Sequence, residues 1–375
     1  MTIRRVKQSD LKLGMLVPWN VYADNGMLLV RKGHMIVKPS QIDYLAQLGS
    51  YEDIADQAEA RQPASALRKL NQALLQLEPL LNAVAARRAP ADTRRMLEDI
   101  AGLVTEAVEL NADVAVACVL HNQHAAPYPV RHCVDTAVVA QIAGRARRML
   151  PAEINILTLA ALTMNVGMLE QHEHLHGRQA ALGDAELDRL RSHPQRGVDL
   201  LRAAGITNPD WLDAVLLHHE NEDGSGYPRG AAGGHIPATA KLIALADRYC
   251  ARVSRRGYRK PMLPNAALRD ILLEKQTFDG QLAAVLIREL GIYPVGTYVK
   301  LVNGEIGVVA RRGLNSTTPH VESIIGPRGA PLDVYLQRDT RGELNGIKAV
   351  LSLEEVGALT APLRMERVWG RVASL

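Results

Sequence analysis

His218-His219-Glu220, followed by Asp223-Gly224-Ser225-Gly226-Tyr227-Pro228, constrains this chain more than any other stretch. Counting back from His219, Leu216, Val215 and Leu212 lie three, four and seven positions earlier, on the apolar stripe of a helix that opens at Asn208-Pro209. Two imidazoles and a carboxylate therefore close an apolar helix, and a glycine-rich loop carrying a single tyrosine follows at once. Such an arrangement asks for a fold in which helices end at a shared polar cavity.

Other chemistry-bearing residues fall on apolar helix faces too. His132 shares a face with Thr136, Val139 and Ala143, and Asp247 shares one with Ile243, Ala246 and Cys250. His193 precedes Pro194 at an expected helix start, with Gly205 ending that helix. Each has a plainer reading. A lone histidine on an apolar stripe is more often a hydrogen-bonded core residue than a ligand. Asp247 can pair with Arg248 or Lys241 in a solvated turn, and the glycines at 224–226 can be turn formers only. A carboxylate on an apolar helix face is nonetheless costly unless paired or metal-bound. The joint pattern of five candidate ligands, His132, His193, His218, His219 and Asp247, favours convergence on a metal.

The pattern of the chain is mainly α. Residues 1–52 form a small β-rich module, with apolar runs at 16–22 and 27–30 around Asp24-Asn25-Gly26, a second turn at Gly33, and a short helix at 41–48. Residues 53–120 are Ala-, Leu- and Arg-rich, with Leu97, Ile100, Val104 and Val108 at helical spacing behind a cap at Asp92, and serve as a helical connector. An all-helical domain follows at 121–290. A β-rich extension occupies 291–375, opening on a hairpin, 298–302 and 306–310, around Asn303-Gly304. Net charge is only +4, spread evenly, which argues against nucleic acid as partner. No export signal is visible, the apolar stretch 154–169 is interrupted by Asn155, Thr158, Thr163 and Asn165, and the three cysteines form no CxxC pair. These features describe a soluble protein of a reducing cytoplasm, with no membrane span; self-association is left open.

The string from His218 to Pro228 closely resembles the second half of the HD-GYP signature, that of bacterial metal-dependent phosphodiesterases that open cyclic di-GMP. The resemblance covers residues 121–290, less firmly the tail, and implies an HD-type helical bundle. It makes His132 the first metal ligand and assigns His193, His218, His219 and Asp247 to later ligand positions. Asp223, Gly224, Gly226, Tyr227 and Pro228 then form the loop linked in the family to GGDEF-type partners. Arg256 and Arg259 match basic positions that help hold the ligand's phosphates. Where some relatives have a glutamate for a third metal, this chain has Tyr128.

The first half of the signature departs from the family. Met164 and Asn165 occupy the His-Asp pair, and Met168 occupies the lysine that follows it. A thioether is a weak ligand for iron or manganese, and an amide brings no charge to offset two adjacent cations. His172, His174 and His176 lie close by as substitutes, although alternation of that kind usually marks a solvated loop. The expectation is one divalent ion at most, on His193, His218 and His219. Phosphodiesterase activity should be lost or strongly attenuated, leaving a module that binds cyclic di-GMP or a partner protein. An active enzyme with an altered metal site is the alternative.

Overall fold

The Asp24-Asn25-Gly26 turn joins Val21–Ala23 (β2) to Leu28–Val30 (β3) as an antiparallel hairpin. This computed structural model describes residues 3–12, 15, 17, 19–31, 34–52, 64–122, 124–169, 183–255, 260–274 and 276–375. Gly33 lies outside the described residues. The expected helix appears as α1, Pro39–Leu48, with proline in its first turn. It runs straight into a strand that its sequence did not announce, Gly49–Glu52 (β4). That strand sits between β2 and Ile3–Arg5 (β1), so the sheet order is β1-β4-β2-β3. Val6, Leu11, Val17, Val21, Ile36 and Leu45 fill the core of this first unit, Met1–Pro63.

The second unit, Ala64–Leu375, is built on helices. They are α2 (Ala66–Ala85), α3 (Thr93–Leu110), α4 (Ala112–His121), α5 (Tyr128–Ala146), α6 (Pro151–Thr163), α7 (Asp184–Ala203), α8 (Pro209–Leu217), α9 (Ala238–Val253), α10 (Pro264–Leu273) and α11 (Gly280–Leu290). Leu97, Ile100, Val104 and Val108 are buried as their spacing predicts, within a core that α2–α4 share with the later helices. Asp92 stands at the N-cap of α3 but makes no side-chain cap bond, whereas Asn208 Oδ1 accepts from Trp211 N at 3.0 Å and starts α8. Helix α5 is buried all round, packed by α6, α9, α11 and α2–α4.

One expectation is corrected. His193-Pro194 does not open a helix; Pro194 lies inside the 20-residue α7, which runs to Ala203. Proline lacks the N–H that would bond the carbonyl four residues earlier, so a proline inside a helix leaves an acceptor free. Here that acceptor is Leu190 O, and the His193 ring Nδ1–H donates to it at 2.6 Å. The helix continues because a side chain replaces the missing backbone donor.

The C-terminal strands Tyr298–Leu301 (β5), Ile306–Arg311 (β6), His320–Ile325 (β7), Pro331–Asp339 (β8) and Ile347–Leu351 (β9) form an antiparallel sheet of order β8-β7-β6-β5-β9. Val299, Leu301, Val309 and Val321 join it to the helical core. Among the described residues, no helix is long and apolar enough to cross a membrane.

Candidate functional site

His218 repeats the device seen at His193. Its Nδ1–H donates to Val215 O at 2.7 Å, one of the carbonyls left free at the end of α8. With both Nδ1 atoms donating to carbonyls, which only accept, the neutral rings carry their lone pairs on Nε2. Those two Nε2 atoms face each other at 3.4 Å. Burial pushes His193 down to about 3, with His218 adding to the effect, and burial likewise lowers His218. Burial, then the neighbouring His218 and His193, holds His219 well below the ordinary range. Burial thus disfavours the protonated form in a group of three imidazoles whose donor atoms lie within 4.8 Å of one another. Facing lone pairs without a proton repel, and a cation between them removes the repulsion. This cluster can coordinate a divalent metal.

Glu220 holds the following loop. Its carboxylate is buried and accepts from Arg229 N at 2.6 Å and Ala231 N at 2.9 Å, tying down the backbone that follows Tyr227-Pro228. Gly226 lies against the backbone of residues 219–221, where a Cβ would meet Asn221 N at 2.4 Å and His219 O at 2.5 Å. Tyr227 N donates to His219 O, and the Tyr227 ring stacks on His219, with ring centres 4.8 Å apart. Asp223 turns back on its own loop, accepting from the Ser225 amide and hydroxyl.

In the same cavity, His132 Nε2 meets Asp247 Oδ1 at 2.6 Å, bridging α5 and α9. Burial works to raise the Asp247 carboxyl, but the His132 bond and charge outweigh it and hold the group well below the usual carboxylate range. Lys241, the plainer partner, is taken by Glu222 at 2.6 Å. Tyr128 stacks on His132, with ring centres 5.2 Å apart.

A third wall is the turn after α6. Trp211 Nε1–H donates to Thr163 Oγ1 at 2.8 Å, tying α8 to the end of that helix. Met164 is fully buried in the apolar core and does not reach the cavity, whereas Asn165 and Met168 line it. Gly167 lets this turn lie on α7: a Cβ there would sit 2.2 Å from His193 O and 2.6 Å from Gly197 N.

These walls enclose a cavity of about 660 Å³, into which His132, His193, His218, His219 and Asp247 all face. Ser225, Gly226 and Tyr227 also line it; Asp223, Gly224 and Pro228 belong to the loop but not to the lining. Arg256, Arg259, His172, His174 and His176 lie outside the described residues. Residue-by-residue reading missed the role of Glu220, the contact at Gly167, and several lining residues, Arg191 and Phe278 among them, and it named Arg248 only as a partner for Asp247. A glycine amid bulky apolar neighbours was a usable signal for the close approach at 167. Nothing local marked the arginines.

The model of the HD domain family matches residues 86–282. Over 171 residues the chain is 33% identical to the cyclic di-GMP phosphodiesterase PA4108 of Pseudomonas aeruginosa, covering 45% of this chain and 41% of that one. Over 236 residues it is 24% identical to the cyclic di-GMP phosphodiesterase PdeB of Borreliella burgdorferi, covering 62% of each. The chain thus spans about half the length of these two curated relatives. In fold it is similar to Bd1817, an HDG"Y"P protein of Bdellovibrio bacteriovorus, with a TM-score of 0.52 at 16% identity over 76% of this chain and 97% of that one. With half of its length matched by the family model, and the histidine pair and glycine-rich loop of the signature at its cavity, this chain belongs to the HD-domain family, as a member of HD-GYP type.

Proposed function

We propose that this chain acts in cyclic di-GMP signalling as a binding module whose phosphodiesterase chemistry is lost or strongly attenuated. The observation that carries this reading is the contrast inside the cavity. Three imidazoles with aligned donor atoms face a wall on which Asn165 and Met168 bring no charge and Met164 is withdrawn into the core. In the family pattern that wall supplies the carboxylate bridging two metals and the lysine for phosphate.

One divalent cation, iron or manganese, suits His193, His218 and His219. When bound it supplies Lewis-acid stabilisation of phosphoryl oxygens and acidifies water. The chain's own groups do the rest. Leu190 O and Val215 O fix the imidazole tautomers, Tyr227 covers His219, and the His132–Asp247 pair places a carboxylate in the same cavity. Without an anionic side chain at 165, little offsets the repulsion between two adjacent cations. The Glu220-clasped loop is the surface offered to a GGDEF-type partner, and its hydrogen bonds do not depend on a metal.

The second reading, an active phosphodiesterase with an altered metal site, is favoured by the His132–Asp247 pair at the cavity and by relatives named as such enzymes. Metal content of anaerobically purified protein, measured beside binding and hydrolysis of cyclic di-GMP, separates the two. Binding with one ion or none and negligible turnover supports the module. Ordinary turnover that His218→Ala and Asp247→Ala each abolish establishes the enzyme.

A further inference from the structure

Met168 stands where the family pattern has a lysine, yet the lining is not short of positive charge. Arg191, on α7 two residues before His193, and Arg248, on α9 directly after Asp247, both line the cavity and are exposed where it opens. They approach the same cavity from different helices. Arg248 is held in place by the Phe278 ring, with its guanidinium carbon 5.4 Å from the ring centre. The acids nearby are already engaged. Asp247 accepts from His132, and Glu220 accepts from two loop amides. Among the described residues, neither arginine has a carboxylate partner. Two guanidiniums at one cavity, without a carboxylate partner among the described residues, make an anion site, and paired forks suit a phosphodiester better than a point charge does.

We propose that Arg191 and Arg248 form a phosphate clamp across the opening of the histidine cavity, taking over from α7 and α9 the work that a lysine at position 168 would do. This rests on the reading above that the cavity takes a cyclic dinucleotide. The clamp reads the phosphodiester rather than the base, so it acts alike on guanine and adenine dinucleotides. It also acts whether or not the bond is cut.

The test uses the full chain and titration calorimetry with cyclic di-GMP and cyclic di-AMP at two salt concentrations. Arg191→Met and Arg248→Met keep the aliphatic stem, and Arg248→Lys serves as the conservative variant. The Arg191→Met/Arg248→Met double variant should bind cyclic di-GMP roughly 10–100-fold more weakly, with a shallower salt dependence and thermal stability unchanged. Any cyclic di-AMP binding should fall by the same factor, and Arg248→Lys should recover part of the loss. A double variant that binds as tightly as wild type overturns the clamp. So does a loss confined to cyclic di-GMP, which would make Arg248 a reader of the guanine edge. Wild-type protein that binds neither dinucleotide overturns the proposed function itself, a result distinct from either of these.

Discussion

The α7–α8 wall and the 164–168 turn of the same cavity have been treated differently by the chain. On the first wall every detail serves the imidazoles: a proline frees a carbonyl for His193, a helix end frees another for His218, and Gly226 lets the loop close over His219. On the second, the family's chemical groups are absent, yet Gly167 still docks the turn against the backbone at His193. Positioning and chemistry are therefore separable. A wall can lose its reactive groups and still be needed to hold the other in place.

Removing a donor from the imidazole wall should have the largest effect. His218→Ala should lower metal affinity by more than the roughly 10–100-fold that loss of an outer partner costs, read as metal retained after dialysis. Retention equal to wild type would mean that the metal sits elsewhere. Next comes the contact between the walls. Gly167→Ala places a methyl against backbone on two sides and should cost about 3 kcal/mol in urea unfolding while also reducing metal retention. A neutral outcome would show that the turn is free to move away from α7.

The second wall can also be rebuilt. Met164→His should cost about 2 kcal/mol, because the ring enters an apolar core. Asn165→Asp and Met168→Lys face the cavity and should be tolerated better, with the triple variant gaining metal and any hydrolysis. Equal stability losses at 164 and 168 would erase the distinction drawn between core and lining.

Acid should separate the cavity from the rest of the core by about 1–2 kcal/mol. His193 is held at about 3, below its unfolded value near 6.5, so its contribution in metal-free protein is complete above 6.5 and is lost as pH falls toward 3. Asp135 runs the other way. Burial raises it to about 8, only partly offset by Arg131, so its contribution is complete below about 3.8 and is lost as pH rises through 8. Unfolding followed from pH 5 to 9 should show both limbs, and Asp135→Asn should remove the alkaline one alone. An acid limb unchanged in a His193→Gln variant would assign it to other groups.

Much of this was legible where a local rule decides the outcome. Asn208-Pro209 starts α8, the Asn-Gly turns make hairpins, and Leu97 to Val108 bury as a stripe, since capping, turn geometry and periodicity act over a few residues. Pro194 misled because its cost is met by its own neighbour's ring, which no propensity encodes. β4 was missed because it pairs with strands far off in sequence, and its four residues, Gly-Ser-Tyr-Glu, carry no apolar alternation. Of the site, the histidines and Asp247 stood out because polar groups on apolar stripes are conspicuous. Arg191 and Arg248 did not, since exposed arginines are unremarkable until a fold brings them to one opening.

The burial of Met164 also bears on what sequences are reachable from this one. A single change to histidine there puts an imidazole where the thioether now packs, before position 165 supplies the carboxylate that would reward it. The order of steps matters: Asn165→Asp first costs little in packing, whereas Met164→His first passes through a less stable protein. Screens seeking gain of hydrolysis from this chain should therefore recover changes at 165 and 168 earlier and more often than changes at 164.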